Sequence, residues 1–165
     1  MNKIKQTLAA FVAGTALYGC AHAGVSETAA PFNEDSDKEA IEAVLTAYET
    51  ALNNADVEAV MALYADDGVF MPQFSPSQAG REAVRAVYGH VFNAIVLKVT
   101  FDIEEVQVVS PNWAFARTNS AGTVTVKATG ETGPEANQEL FVFQRTDGAD
   151  WKIARYAFSS TNPPR

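Results

Sequence analysis

Few groups in this chain could carry acid–base or metal chemistry. Its 165 residues include one cysteine, Cys20, and two histidines, His22 and His90. With residues 1–23 read as a leader, only His90 is kept. That excludes a zinc site built from several Cys or His ligands. No run of carboxylates has the spacing of a calcium loop, and a Ser-His-Asp triad would have to use His90. No metal and no organic cofactor is expected. Glu139 is the more informative residue. It opens Glu139-Leu140-Phe141-Val142-Phe143, where strand alternation puts Glu139, Phe141 and Phe143 on one face. The aromatic residues turn that face inward, and a buried Glu needs a partner. Arg117 and Arg155 are the candidates; such a pair fits a catalytic acid and a sheet-holding ion pair equally well. Tyr48 falls on an apolar helical stripe, where a core tyrosine with one satisfied hydroxyl is a simpler account than a functional one. Asp66-Asp67 reads as a solvated helix end.

These residues need elements to hold them. Ser36-Asp37-Lys38-Glu39 has the form of a capping box. It opens a first helix with the stripe Ile41, Val44, Leu45, Tyr48 and Leu52. Asn53-Asn54-Ala55 breaks that helix, and Asp56 caps a second, over about Val57 to Ala65. Asp66-Asp67-Gly68 is expected to stop it. A short strand over Gly68 to Phe74 and a loop over Ser75 to Ala79 follow. The third helix starts at Gly80-Arg81-Glu82, with the stripe Val84, Val87, Tyr88, Val91, Phe92 and Ile95. From Val96 the apolar period changes to two. Glu104-Glu105 breaks the phase, which predicts a bulge. Trp113 to Lys127 is a long strand bent near Ala121-Gly122. Thr129 to Pro134 is a turn, the Glu139 strand is next, Asp147-Gly148 is a hairpin turn, and Trp151 to Ser159 closes the sheet.

Helix, helix, short strand, helix and then long antiparallel strands define an α+β arrangement, three helices packed on a strongly curved sheet. Apolar residues form 47% of the chain, enough for a packed core. The net charge of −8 argues against nucleic acid and anionic membranes as partners. Lys3 and Lys5, the short apolar run Leu8 to Leu17, and Ala21-His22-Ala23 read as a signal peptide cleaved after Ala23. A lipoprotein processed at Cys20 is the rival reading. Residues 24–35 read as a linker and 36–162 as one domain, periplasmic or secreted.

The stretch Tyr48 to Asp67, Y-x-x-A-L-N-x-x-D followed by L-Y-A-D-D, resembles the opening helices of ketosteroid isomerase and the SnoaL-like, nuclear-transport-factor-2-like superfamily. Gly80-Arg81-Glu82-Ala83-Val84 and Asp147-Gly148-Ala149-Asp150-Trp151-Lys152-Ile153 add to the likeness, which is strongest to the SgcJ/EcaC-type branch. The resemblance implies a cone-shaped α+β barrel with an apolar cavity. It places the oxyanion-binding tyrosine on Tyr48 and the oxyanion-binding acid on Glu139. The family's base precedes a proline, and here Met71 precedes Pro72, so no carboxylate stands there. His90, Asp67, Tyr64 and Asp102 are conceivable substitutes.

The expected function is binding of a mainly apolar or polyketide-like small molecule. Cofactor-free isomerisation, cyclisation or elimination is the catalytic version; a non-catalytic association domain is the alternative. Tyr48 would donate to an oxyanion, Glu139 would assist, and Arg117 would hold Glu139 or an acidic group. Phe70, Met71, Phe92, Phe101, Phe115 and Phe141 are expected at the ligand, with Phe74, Trp113 and Trp151 as further wall. A homodimer is expected through an outer face carrying Val124, Val126, Leu140 and Val142.

Overall fold

The computed structural model describes residues 33–146 and 149–163. The expected leader, Cys20, most of the linker and the Asp147-Gly148 turn lie outside the described residues. Among the described residues, three helices, α1 (Glu34–Asn54), α2 (Val57–Leu63) and α3 (Arg81–Ala94), pack on one sheet. Its strands are β1 (Tyr64–Met71), β2 (Gln78–Ala79), β3 (Ile95–Ser110), β4 (Trp113–Val126), β5 (Thr132–Gln144) and β6 (Lys152–Ser160). Their order is β2-β1-β6-β5-β4-β3. Only the β1–β6 pair is parallel. The sheet is therefore an open cone with edges at β2 and β3 and not a closed barrel.

The first helix starts earlier than the capping-box reading placed it. Asn33 is the N-cap, and its Oδ1 accepts the Ser36 amide at 3.3 Å. Ser36 therefore sits inside the first turn. Glu34, Asp35 and Asp37 complement the helix dipole there, which draws the end of the expected linker into α1. Asp56 caps α2 as expected, accepting from the Ala59 amide at 2.9 Å. That helix stops at Leu63, and Asp66-Asp67-Gly68 belongs to β1. The register of β1 against β6 shifts between Tyr64 and Val69. An irregular strand start of this kind shares its Asp-Asp-Gly composition with a helix end.

The predicted bulge is present: β3 slips against β4 between Ile103 and Glu105. Near the other end of that pair, a Cβ on Gly122 would lie 1.9 Å from the Lys98 carbonyl oxygen. Only glycine lets the strands approach so closely. The turn expected over Thr129 to Pro134 is tighter, because β5 already begins at Thr132. Gly130 supplies its left-handed residue, at φ 73°.

The first helix crosses the β3 edge and seals it. Asn53 donates to the Val99 carbonyl at 2.7 Å and accepts the Val99 amide at 2.8 Å. Glu49, one turn back, accepts the Phe101 amide at 2.7 Å. Side chains thus replace the missing neighbour strand and satisfy backbone groups that would otherwise be orphaned. The same helix drives Ile41, Leu45, Tyr48 and Leu52 into the concave face, all buried. Each such burial stabilises by about 1.5–3 kcal/mol.

The outer-face group divides. Leu140 and Val142 pair with Arg117 and Phe115 on the convex side. Val124 pairs with Leu97, which faces the concave side, and Val126 shares the parity of Val124. The expected four-residue dimer face therefore does not exist as one surface, because the parity of β4 was assigned the wrong way round.

Candidate functional site

The concave face holds a cavity of about 260 Å³ between α1, α3 and the sheet. Tyr48 and Leu52 come from α1, and Val87, Tyr88 and Val91 from α3. Leu97, Val99 and Phe101 come from β3, Phe70 from β1, and Tyr156 and Phe158 from β6. One end is polar: Ser120, Glu135, Asn137 and Glu139 line it beside Tyr48. Among the described residues, no Lys, Arg or His lines the cavity. A larger groove of about 520 Å³ runs past Asp66, Asp67, Arg81, Arg145 and Lys152. Its charged groups are largely committed to one another or to backbone, as in the Arg81–Asp66 pair at 3.5 Å. It lacks the apolar wall of a small-molecule site.

Glu139 is buried on β5, with Thr118 directly across on β4 and Phe158 on β6. Its partners are hydroxyls, not arginines. Thr118 Oγ1 donates to Oε2, while Ser120 Oγ (3.0 Å) and Tyr156 Oη (3.1 Å) donate to Oε1. Burial raises the Glu139 pKa above its ordinary value of 4.5, and the three donors hold part of that rise back. Arg117 points to the convex face and binds Glu105 at 2.7 Å. Arg155 lies 3.8 Å from Asp67. Neither expected arginine partner reaches Glu139, because both occupy strand positions of the opposite parity.

A second network reaches the cavity from the helices. Tyr48 and Tyr88 share a hydrogen bond of 2.5 Å, and Tyr88 and Tyr64 one of 3.0 Å. Burial is the main cause that pushes all three phenols well above 10.0, so they remain protonated donors. Three protons serve two bonds. Either hydroxyl of each pair can donate; donation running from Tyr64 to Tyr88 to Tyr48 is the order that frees the Tyr48 proton, and Tyr48 lines the cavity. The aromatic rings around it fix its place: Phe141 lies 5.5 Å and Tyr156 5.4 Å from its ring centre.

Asn137, two residues before Glu139 on the same face, completes the polar end. Its Nδ2 donates to Glu135 Oε1 at 2.9 Å and to Ser120 Oγ at 3.4 Å. Its Oδ1 is buried without a partner. Leaving such an acceptor unsatisfied costs on the order of 1–3 kcal/mol.

Tyr48, Glu139, Phe70 and Phe101 meet at the cavity, as placed from the sequence. Other expected site residues fall elsewhere. Met71 follows Phe70 on β1 and has the opposite parity, so it is absent from the lining. Phe115 is on the convex face, opposite Val142. Phe92 packs behind Tyr88 at 5.7 Å, and Phe141 stacks at 4.3 Å on Tyr156; both are core. His90 and Asp102 are exposed. Asp67 accepts from Gln144 on the surface at 2.8 Å, and Tyr64 is held behind Tyr88. No substitute base named from the sequence lines the cavity. Phe74 and Trp113 are exposed, and Trp151 donates to Asp37 at 3.2 Å, away from the site. Sequence reasoning missed Tyr88, Tyr156, Ser120 and Asn137. The parity that turned Glu139 inward also turns Asn137 inward, and Tyr88 was already on the α3 stripe.

Helices over a curved open sheet, with an apolar cavity polar at one end, define a nuclear-transport-factor-2-like cone. The chain belongs to the SnoaL-like domain family, which matches residues 44–156. A ketosteroid isomerase-like protein from Erwinia carotovora atroseptica is 42% identical, over 80% of this chain and 100% of its own, with a TM-score of 0.75. A nuclear transport factor 2-like superfamily protein from Salmonella enterica serovar Typhimurium has 18% identity over 78% of this chain and 94% of its own, with a TM-score of 0.69. A conserved protein from Planctomyces limnophilus has 23% identity over 76% and 98%, with a TM-score of 0.68. No curated protein matches the chain.

Proposed function

We propose that this chain is an exported pocket protein that holds a mainly apolar small molecule in the concave cavity. The observation that carries the reading is the cavity: about 260 Å³ of space, walled by aliphatic and aromatic side chains, with Tyr48 and Glu139 at one end. An apolar wall with a few convergent polar groups is the usual form of a ligand site. Unfilled space favours ligand binding over use of the same fold for assembly alone. The volume suits two or three fused rings. Binding is tested by calorimetric titration with naphthol-sized aromatics, beside a Leu97→Trp variant that fills the cavity. Wild-type binding lost in a folded Leu97→Trp protein supports the reading. Binding that survives the substitution contradicts it.

The Tyr48–Glu139 pair favours a catalytic version, cofactor-free proton transfer next to a carbonyl. Burial raises the Glu139 pKa above 4.5, the direction that favours a carboxyl group able to give up and take back a proton. With Tyr88 donating to it, Tyr48 would have its own proton to stabilise an oxyanion. Steroid isomerisation itself is not expected, since Met71 occupies the position of the family's base. Rapid conversion of a β,γ-unsaturated ketosteroid, abolished by Tyr48→Phe, would contradict that. Export is tested by intact mass. A mature chain beginning at Gly24 supports it, and a lipid adduct on Cys20 establishes the lipoprotein route instead.

A further inference from the structure

Proton transfer next to a carbonyl needs a base, and the lining supplies a second carboxylate besides Glu139. Glu135 shares the strand parity of Asn137 and Glu139 on β5, which turns its side chain to the concave face, and it lines the cavity. The cavity has a closed floor and an open mouth. Tyr48, Tyr88, Tyr156 and Glu139 are buried, Glu135 and Leu97 are half-buried, and Ser75 is exposed. The two carboxyl groups are equipped differently. Glu139 takes three hydroxyl donors. Glu135 takes one donor, Asn137 Nδ2, at 2.9 Å on Oε1. Its Oε2 has no donor among the described residues and is not sealed from solvent. Asn137 Nδ2 also lies 3.4 Å from Ser120 Oγ, which donates to Glu139 Oε1 at 3.0 Å. Two bridging groups thus separate the carboxyl groups. Burial first, and the Glu135 charge after the hydroxyl contacts, act on the Glu139 pKa, so the two are within electrostatic reach. A carbonyl oxygen held on the floor by Tyr48 leaves the carbon beside it toward the mouth, on the Glu135 side.

We propose that Glu135 is the base of this site, and that its carboxylate takes a proton from the carbon next to the carbonyl of an apolar, fused-ring ketone. The C–H electron pair becomes the C=C bond of an enolate, and the C=O π pair moves to oxygen, where Tyr48 donates to it. The proton on Glu135 then returns to carbon or exchanges with water through the mouth. Asn137 positions Glu135. The proposal rests on the catalytic version of the pocket reading. It assigns the proton-removing step to β5 and not to the β1 position that Met71 fills.

The probe is 2-tetralone, whose C1 protons lie beside both the carbonyl and the aromatic ring. Exchange of these protons in D2O is followed by NMR, and tetralone affinity by calorimetric titration. The wild type should speed C1 exchange over buffer. Glu135→Gln should slow it by about a hundredfold or more and leave the affinity unchanged. Its amide oxygen still accepts from Asn137, so the fold is kept. Fast exchange that persists in Glu135→Gln overturns the assignment and leaves the catalytic reading intact, with the base elsewhere. Loss of affinity in step with loss of exchange also overturns it, by making Glu135 a binding group. Wild-type protein that binds tetralone without exchange overturns the assignment and the catalytic version together, and the pocket reading stands. Absence of tetralone binding overturns all three.

Discussion

The Tyr156 hydroxyl donates to Glu139 Oε1 at 3.1 Å, and no cation among the described residues meets the carboxyl group it serves. Hydroxyl dipoles solvate the charge less well than water did, so burial raises the Glu139 pKa above 4.5. The folded protein then holds this proton over a pH range where the unfolded chain has released it. The stability linked to Glu139 is complete below the unfolded value and is lost as pH rises through the folded one. Urea unfolding at a series of pH values should show the wild type losing ground to Glu139→Gln across that interval. Parallel pH profiles for the two proteins would contradict the shift.

Tyr88 lies between two other phenols, and its position makes its hydroxyl worth more than either neighbour's. Tyr48→Phe removes one bond and leaves Tyr88 paired with Tyr64 at 3.0 Å. The expected cost is about 0.5–1.5 kcal/mol. Tyr88→Phe strands the hydroxyls of both Tyr48 and Tyr64, each buried. At about 1–3 kcal/mol for each unsatisfied group, it should be clearly the more destabilising change. Equal midpoints in urea would show that the three hydroxyls do not act as one chain.

Much of this arrangement was legible in the sequence because it depends on local period. The Ile41–Leu52 stripe set Tyr48 inward, and the alternation of Phe141 and Phe143 with Leu140 set Glu139 inward. What failed depended on register or on partners distant in the chain. Arg117 was placed at the cavity because an arginine was wanted there, whereas its strand parity follows from pairing with Leu140. Met71 was placed by the family position before Pro72, and one residue of offset on a strand reverses the face. Thr118 and Ser120 became partners of Glu139 only through the β4–β5 register. Ser36 reads as the cap from its capping-box spacing, whereas Asn33 caps α1, and Asp37, inside the first turn, binds across the fold.

That binding latches the start of α1 to the residues that follow β5 and precede β6. Arg145 reaches both Asp37 oxygens, at 2.5 and 2.9 Å, and Trp151 Nε1 adds a third donor at 3.2 Å. The guanidinium also stacks 4.5 Å from the Trp151 ring centre. Asp37→Ala leaves a mostly buried arginine without its counter-charge and should cost about 3 kcal/mol. The paired change Asp37→Leu with Arg145→Met should recover most of that loss, since apolar groups carry no desolvation debt. A double variant as unstable as the single one would show that the indole contacts dominate.

Gly122 and Gly89 should respond to alanine in opposite directions. At Gly122 the added methyl meets backbone on three counts: Lys98 O at 1.9 Å, Val99 Cα at 2.8 Å and Lys98 C at 2.9 Å. No side-chain rotation relieves these contacts, so β3 and β4 must separate where they cross. Overpacking of this kind costs about 1–3 kcal/mol or more. It also displaces Leu97 and Val99, which line the cavity. Gly122→Ala should therefore lower both the unfolding midpoint and the affinity for naphthol. Gly89 lies within α3 with nothing inside 4 Å of a new methyl. There alanine removes backbone entropy from the unfolded chain and should stabilise by about 0.5–1 kcal/mol, with naphthol affinity unchanged. Gly122→Ala with wild-type stability would mean that the two strands cross less tightly than the Lys98 contact requires.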